Sequence, residues 1–500
     1  MNHLDLSTVG GLTRALAPEI LLSAWSLLVL LVVAWRHRTE EDSRLAGWLS
    51  LAGVMLTGAL VIWMWASGVA ASGISNMMEV DGFRFATSIL FLVAAGFSIV
   101  LSLNYLPRER MLAPEYYVLI LLATVGMLFM GGAADLIVLF LGLEVMSVSA
   151  YVLAGYDRRS AFSAEAALKY FLIGAFASGF LLYGIALVYG STGMTNLSLV
   201  GVKLSEGALP LMASLGLGLL VIGLAFKVAA VPFHMWAPDV YDGAPTPVTG
   251  FMATGVKAAG FAGLTRVLVE AFPTALTQWQ PILAIIAIVT MVVGNLVALV
   301  QRPLKRMLAY SSVAHAGYLL TALWPGNRLA VSTVLIYLAA YTLTTIASFA
   351  ILAALGRNGE RDVTLDDIAG LATRRPWMAA AFALCMLSLL GFPGTFGFIG
   401  KWYILTSVVG QGQNILAVVL VLTSVLSAGY YLPVIMSMYM RPEPEPEWHE
   451  GRGMVPLVSA VVALCVIGVL VFGLWPTPLL DLAQSSSQSI TQIVLPGAGR

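Results

Sequence analysis

The chain has 500 residues and no net charge at neutral pH, and it is 59% hydrophobic but only 10% charged. Soluble domains carry about 25% charged residues. That deficit, a mean hydropathy of +0.90 and repeated apolar runs of membrane-spanning length exclude a soluble globular class and leave a polytopic, all-α membrane protein. Zero net charge implies no nucleic-acid or other polyanionic partner.

The hydropathy pattern predicts fourteen spans. Three, at 18–36, 45–66 and 83–103, make an N-terminal segment, 1–112. No basic presequence precedes them, so the first run reads as a retained span. Five more, at 113–131, 134–155, 163–189, 210–232 and 247–270, fill 113–270. A further five, at 280–300, 304–323, 329–355, 377–400 and 413–440, fill 280–440. The remainder, 441–500, holds the polar connection 441-RPEPEPEWHEGR-452, a last span at 454–475 and a tail. Alternating Pro and Glu favour an extended, solvated loop there.

Ionisable residues inside these spans are the most informative feature. A charge at the bilayer centre costs about 2.5–3.5 kcal/mol or more, so such residues face a bundle interior or a wet cavity. In chain order, Glu144 sits mid-span and is the one carboxylate expected deep in the membrane. Unpaired it would stay protonated; beside a lysine it would ionise and hold that lysine charged. Lys169 lies about 9 Å inside its span and is within snorkelling range of the surface. Lys227 precedes Pro232 by five residues, and His234 follows that proline. Lys257 is central in 252-MATGVKAAGFAG-263, where small neighbours allow close helix approach. Arg266, near the end of the same span, reads as an interfacial anchor. His315 lies deep in 304–323 with Tyr310, Ser311, Ser312 and Thr321, which can order water or glue helices together. Lys401 follows Pro393 by eight residues. Burial penalises the charged form of an amine, so a row of buried lysines can exchange protons near neutral pH. The plainer alternatives are a structural ion pair for Glu144, a backbone hydrogen bond for Lys257, snorkelling for Lys401 and satisfied core histidines.

Other chemistry is absent from the pattern. The two cysteines, Cys385 and Cys465, fall in apolar spans, which excludes a cysteine-ligated iron–sulfur cluster and argues against zinc. No dinucleotide fingerprint or phosphate-binding loop occurs. No cofactor or metal is expected in this chain.

Basic residues fix the expected orientation. Connections after odd-numbered spans carry Arg36, Arg38, Arg44, Arg108, Arg110, Arg158, Arg159, Arg302, Lys305, Arg306, Arg357, Arg361, Arg374, Arg375, Arg441 and Arg452. The other side carries only Arg14, Arg84, Lys203, Arg328 and Arg500. Odd connections are therefore expected in the cytoplasm and both termini outside.

An internal repeat links the two five-span blocks. Tyr151 aligns with Tyr318, and Tyr170 with Tyr337, at an offset of 167 residues. At an offset of 166, Phe226 aligns with Phe392 and Trp236 with Trp402. An odd number of spans per block makes the two copies inverted, an arrangement that places transport sites at the repeat interface. Each copy is expected to hold a broken helix, one closed by Pro232 and followed by 233–247, the other interrupted at 391-GFPGTFGFIG-400.

At 139-LFLGLEVMSVSAYVL-153, 165-EAALKYFLIGAFASG-179, 224-LAFKVAAVPFHMWAPDVYDGAPTPVTGFM-252 and 397-GFIGKWYIL-405 the chain resembles the antiporter-like membrane subunits of respiratory complex I, the proton-pumping NADH:quinone oxidoreductase. Within them it is most similar to the subunit N group. Lysine rather than glutamate at 401 points away from subunit M, and no long lateral helix follows residue 475 as in subunit L. The resemblance implies that Glu144, Lys227, Lys257 and Lys401 are the charged residues of a proton relay, with Lys169 and His234 at positions the family also uses. A switchable Glu144–Lys227 pair would push a proton along Lys257 and the polar residues around His315 to Lys401. It implies partners among other membrane and peripheral subunits, with flavin and iron–sulfur clusters in the latter, and a bacterial inner membrane location. Two rival readings are a subunit of a multi-subunit cation/proton antiporter and a structural membrane subunit that carries no protons. A free-standing transporter would need a substrate motif, and none is present.

Overall fold

A computed structural model describes residues 2–6, 8–36, 40–70, 77–111, 114–356, 363–442 and 454–490. The polar connection expected at 441–452 falls mostly outside these. Among the described residues, eleven helices are long and apolar enough to cross a membrane. They are α1 (Ala17–Trp35), α2 (Glu40–Ala66), α3 (Gly82–Arg108), α4 (Glu115–Gly132), α5 (Leu136–Ala154), α6 (Ala161–Thr192), α7 (Leu211–Val228), α11 (Leu276–Ala298), α13 (Arg328–Leu355), α16 (Asn414–Met440) and α17 (Pro456–Leu474). Strand structure among the described residues is confined to a two-residue parallel pairing of Asn2–His3 with Val69–Ala70 and isolated bridges.

The other three expected spans depart from the simple hydropathy pattern. The eighth is a chain of short pieces: α9 (Thr246–Phe251), a π turn over Met252–Val256, α10 (Lys257–Arg266) and a second π turn over Val267–Ala271. The tenth, α12 (Leu304–Leu323), is a continuous helix, but its serines, tyrosines and histidine make it polar. The twelfth is divided into α14 (Pro376–Leu390) and α15 (Phe396–Gly410). The eighth and tenth are buried along most of their length, which explains their composition. A helix that faces protein rather than lipid need not be apolar all round.

The first break lies earlier than the proline pattern implies. Helix α7 ends at Val228, not at Pro232, because Ala229 takes a left-handed conformation with φ of 59°. The chain re-enters helix at α8 (Trp236–Gly243), within the segment that follows the expected break. The second break is closed in the same way, by Gly391 with φ of 88°. In each case the turn residue's N–H bonds back to carbonyls of the last helical turn, as a left-handed C-terminal cap requires.

Close helix pairs are built on small residues. A Cβ at Gly126 of α4 would come within 2.5 Å of the backbone of Gly142 and Met146 on α5. One at Gly294 of α11 would come within 2.5 Å of Ala314 on α12. Backbones this close gain dispersion and exclude lipid, which is the main source of helix association in a membrane. Helix α13 is the most enclosed of the long helices, with 89% of its span buried. It packs on α12, α15 and α17 and carries Tyr337 and Tyr341 into the centre of the bundle.

Candidate functional site

Three lysines line the buried interior, each held by a neutral partner. Lys227, in the last turn of α7, is 2% exposed. Its ammonium lies 5.0 Å from the ring centre of Tyr151, 5.2 Å from that of Tyr170 and 5.4 Å from that of Phe226. The Lys227 Nζ also donates to the Tyr151 hydroxyl at 3.4 Å. An aromatic box of this kind solvates a cation through ring quadrupoles without a carboxylate. Its geometry depends on Gly174, because a Cβ there would collide with the Tyr151 hydroxyl.

Lys257 opens α10 directly after the first π turn. Its Nζ donates to the Ser312 carbonyl at 2.6 Å and to the Ser312 hydroxyl. A π turn shifts the backbone register by one residue and is common at functional positions. Lys401, in α15, donates to the carbonyl of Leu390 at 2.9 Å. Leu390 is the last residue of α14, so the amine satisfies a carbonyl that the break leaves without a helical partner. The Lys401 ammonium also stands 4.7 Å from the ring centre of Tyr318. Among the described residues, none of these three amines has a carboxylate within 4.0 Å.

His315 joins the two halves of this interior. Its Nδ1 is 2.8 Å from the Tyr337 hydroxyl and its Nε2 is 3.2 Å from the Tyr431 hydroxyl. Tyr431 bonds in turn to the Ser311 hydroxyl, and Ser311 precedes Ser312, the partner of Lys257. Two polar groups therefore meet on α12: Lys257 with Ser312, and Ser311, Tyr431, His315 and Tyr337 in one hydrogen-bonded series, the two being neighbours only through the adjacency of Ser311 and Ser312 in the chain. The Tyr318 ring contacts the His315 ring at 5.4 Å and leads to Lys401. Thr321, by contrast, bonds the Gly317 carbonyl of its own helix and serves packing.

The remaining candidates lie elsewhere. Glu144 is half-buried on α5 and accepts a hydrogen bond from Ser178 of α6. No ion pair joins it to Lys227 in this conformation. Lys169 is not buried: its side chain is 40% exposed, and it pairs with Glu165 and Asp239, both at 2.7 Å. Arg306 completes that group at 2.9 Å from Asp239. His234 is half-buried in the break between α7 and α8, and no recorded hydrogen bond joins it to the other candidates.

One expectation is corrected. Arg266 is no interfacial anchor: it is fully buried, donating to Asp81 at 2.9 Å, Glu270 at 2.7 Å and the Gly131 carbonyl at 2.8 Å. Carboxylates other than Glu144 are also enclosed by protein, at the ends of helices. Glu19 and Glu270 are 1% and 4% exposed. Glu19 forms a two-oxygen pair with Arg84, each oxygen at 2.7 Å. Near the expected ends of spans these residues look interfacial, and only their partners, 65 and 185 residues away for the two arginines, bury them. Together they clamp α1, α3, the end of α4 and the end of α10.

Glu79, beside this clamp, answers to the same surplus of carboxylates. Burial, then Glu270 and Asp81, push its carboxyl up from 4.5 to about 8. The folded state thus holds a proton that the unfolded chain releases. The resulting stabilisation is full below about pH 4.5 and is lost as pH rises through about 8. Glu79→Gln, neutral at every pH, is expected to flatten this loss. The check is the unfolding temperature of the purified protein from about pH 5 to about pH 9, wild type against variant. Parallel curves would show that Glu79 is ionised throughout.

What sequence reasoning missed is the aromatic lining. Tyr151 and Tyr318 served only as repeat markers, yet each puts its ring under a buried lysine. Their shared offset was the available signal. The Trp236–Trp402 and Phe226–Phe392 matches carry no such equivalence. Trp236 is buried and donates to the Phe226 carbonyl at 3.0 Å, whereas Trp402 and Phe392 are about half exposed.

Comparison with known proteins gives concordant results. A profile of the family described as NADH:quinone oxidoreductase/Mrp antiporter, TM, matches residues 133–427. The chain is 43% identical to NADH-quinone oxidoreductase subunit N of Gemmatimonas aurantiaca, covering 99% of this chain and 97% of that one. It is 45% identical to NADH-quinone oxidoreductase subunit N 2 of Roseiflexus castenholzii, covering 92% and 93%. Among solved structures, a chain of respiratory complex I from Thermus thermophilus with bound aureothin superposes with a TM-score of 0.80 at 36% identity, covering 93% of this chain and 99% of that one. A chain of the Mrp complex from Dietzia sp. superposes with a TM-score of 0.84 at 21% identity, covering 96% and 98%, a likeness of fold alone.

Proposed function

The chain belongs to the NADH:quinone oxidoreductase/Mrp antiporter family of membrane subunits, with the subunit N proteins of NADH-quinone oxidoreductase as its full-length relatives, and we propose that its buried lysines form the proton relay of such a subunit. The observation that carries this reading is the neutrality of their partners. A carboxylate beside a buried lysine would hold its proton in place. Lys227, Lys257 and Lys401 instead face rings, hydroxyls and backbone carbonyls. Those groups accept hydrogen bonds but do not fix the charge.

In this reading a proton passes from Lys227 to Lys257, on through Ser312, Ser311, Tyr431 and His315, and then to Lys401. Hydroxyls and imidazole both donate and accept, so they can pass a proton by reorienting. Glu144 sets the charge state of Lys227 by approaching it or by staying with Ser178. Lys169 and His234 act at the edges of the path, Lys169 through its exchange between Glu165 and Asp239. Two inverted five-helix repeats, 113–270 and 280–440, following the N-terminal segment 1–112 and preceding 441–500, make fourteen spans in all. In support, Gly294 and Ala314 follow Gly126 and Met146 by the same 168 residues and make the same close backbone contact. Both breaks also end in a left-handed residue. The termini lie on the periplasmic side of a bacterial inner membrane, following the arginine distribution. Redox chemistry belongs to flavin and iron–sulfur partner subunits, and this chain contributes proton movement to their turnover.

Lys257→Met tests the reading, since methionine keeps the length and loses the charge. In membranes containing assembled complex, NADH-driven quinone reduction and the accompanying proton gradient are expected to fall together several-fold. Wild-type values for both would make the amine structural and leave the scaffold reading.

A further inference from the structure

Between Lys227 and the Lys257–Ser312 pair stand two tyrosines, Tyr170 on α6 and Tyr241 on α8. Helix α8, re-entered after the first break, packs on α6 on one side and on α12 on the other. Trp236, its first residue, stacks on Tyr170 at 4.4 Å with the rings within 7° of parallel. The same indole meets Tyr241, further along α8, edge-on at 5.9 Å. Its N–H is tied to the Phe226 carbonyl at 3.0 Å, so both phenols pack on an anchored plate. All three rings are buried.

Each tyrosine attends one lysine. The ring of Tyr170 is 5.2 Å from the Lys227 ammonium. The Tyr241 hydroxyl reaches the side chain of Ser312, whose carbonyl and hydroxyl hold Lys257. Tyr170 and Tyr241 also stand close enough to interact electrostatically. The Tyr170 hydroxyl is the unusual group. It is fully buried, yet it has no hydrogen-bond partner among the described residues. Tyr151, its neighbour in the aromatic box, places its hydroxyl on Lys227. A buried hydroxyl left unpaired costs about 1–3 kcal/mol. Phenylalanine at 170 would line the same box and stack on the same indole without that cost. The packing uses the ring alone, and the oxygen calls for another reason.

We propose, building on the relay reading above, that Tyr170 and Tyr241 are the relay groups that join Lys227 to Ser312 and Lys257. The Tyr170 hydroxyl accepts a proton from Lys227 as it gives its own toward Tyr241 through bridging water, and Tyr241 does the same toward Ser312. A phenol both donates and accepts, and enclosed polar groups that lack protein partners are where buried water is held. Each phenol starts and ends neutral. Lys227 ends neutral and Lys257 ends charged.

The test is Tyr170→Phe and Tyr241→Phe, alone and together, in membranes containing the assembled complex and read beside Lys257→Met. Tyr170→Phe removes no recorded bond and is expected to leave complex abundance at the wild-type level. Quinone reduction and the proton gradient are expected to fall about fivefold. The slowing in heavy water should exceed that of the wild type, because proton transfer then limits turnover. Groups acting in one series are lost only once, so Y170F/Y241F should be no slower than the slower single variant, whereas independent packing defects would multiply. Should either single variant assemble poorly, the heavy-water ratio per assembled complex decides, since a packing defect leaves it unchanged. Wild-type rates in Tyr170→Phe with Lys257→Met collapsed would strike the tyrosines from the path and leave the lysine relay standing. Wild-type rates in both would end the relay reading and the tyrosine link with it. A multiplied loss in the double variant, or an unchanged heavy-water ratio, would likewise overturn the link.

Discussion

Lys227→Ala is expected to lower quinone reduction and its coupled proton gradient together by at least about tenfold while the complex still assembles. Positioned proton-transfer groups contribute roughly 10²–10⁴-fold to the steps they serve, and Lys227 is the cation of the first half of the proposed line. The substitution empties the box formed by Tyr151, Tyr170 and Phe226, leaving the Tyr151 hydroxyl without its amine. Lys227→Arg separates the two roles a boxed cation can have. Arginine keeps the charge and the attraction to the rings, but it does not give up a proton in proteins. If Lys227 relays protons, arginine fails nearly as badly as alanine. If Lys227 only holds helices together, arginine restores activity. Both rates are measured in isolated membranes, with abundance of the assembled complex as the control. An active Lys227→Arg protein would end the relay reading for this residue.

Arg266→Ala is expected to be the most damaging change to stability. It would strip Asp81 and Glu270 of the cation between them and free the Gly131 carbonyl. Breaking a buried pair from one side costs about 3–5 kcal/mol, because the partner charge stays buried without compensation. Assembled complex should become scarce in membranes, and what remains should unfold at lower temperature. Arg266→Lys should recover only part of the loss, since one ammonium cannot span three acceptors in the guanidinium's planar fork. The triple change R266M/D81N/E270Q removes every charge at once and should recover more than lysine does. Proton movement per quinone reduced in the surviving Arg266→Ala complex should match wild type. A lowered ratio would instead bring this clamp into the proton path.

The two predictions concern residues of the same type that were read from sequence with opposite success. Lys227 stood out because a lysine in the middle of an apolar run violates the pattern. Arg266 and Glu19 did not, since residues near the ends of runs are normally interfacial. Their burial depends on partners in other helices, Asp81 for one and Arg84 for the other. Lys169 lay within snorkelling range of the surface by its place in the sequence, and its side chain reaches Asp239 at the edge.

What the sequence determined by itself is the class and the placement of helices. In hydrocarbon every backbone hydrogen bond must close within its own helix, so hydropathy over about twenty residues is enough to find a span. The motifs around Glu144, Lys227 and Lys401 likewise pointed to the family, and the 167-residue offset tied Tyr151 to Tyr318. Tertiary structure alone decided which polar groups meet. The Lys257–Ser312 bond, the tyrosines on either side of His315 and the rings beneath Lys227 and Lys401 join residues far apart in the chain. It also decided where the helices break. Ala229, which no propensity marks as a left-handed residue, ends α7 ahead of Pro232. The reason is the range of the forces: the bilayer acts on each segment locally, whereas a buried side chain's partner is set by how neighbouring helices pack against it.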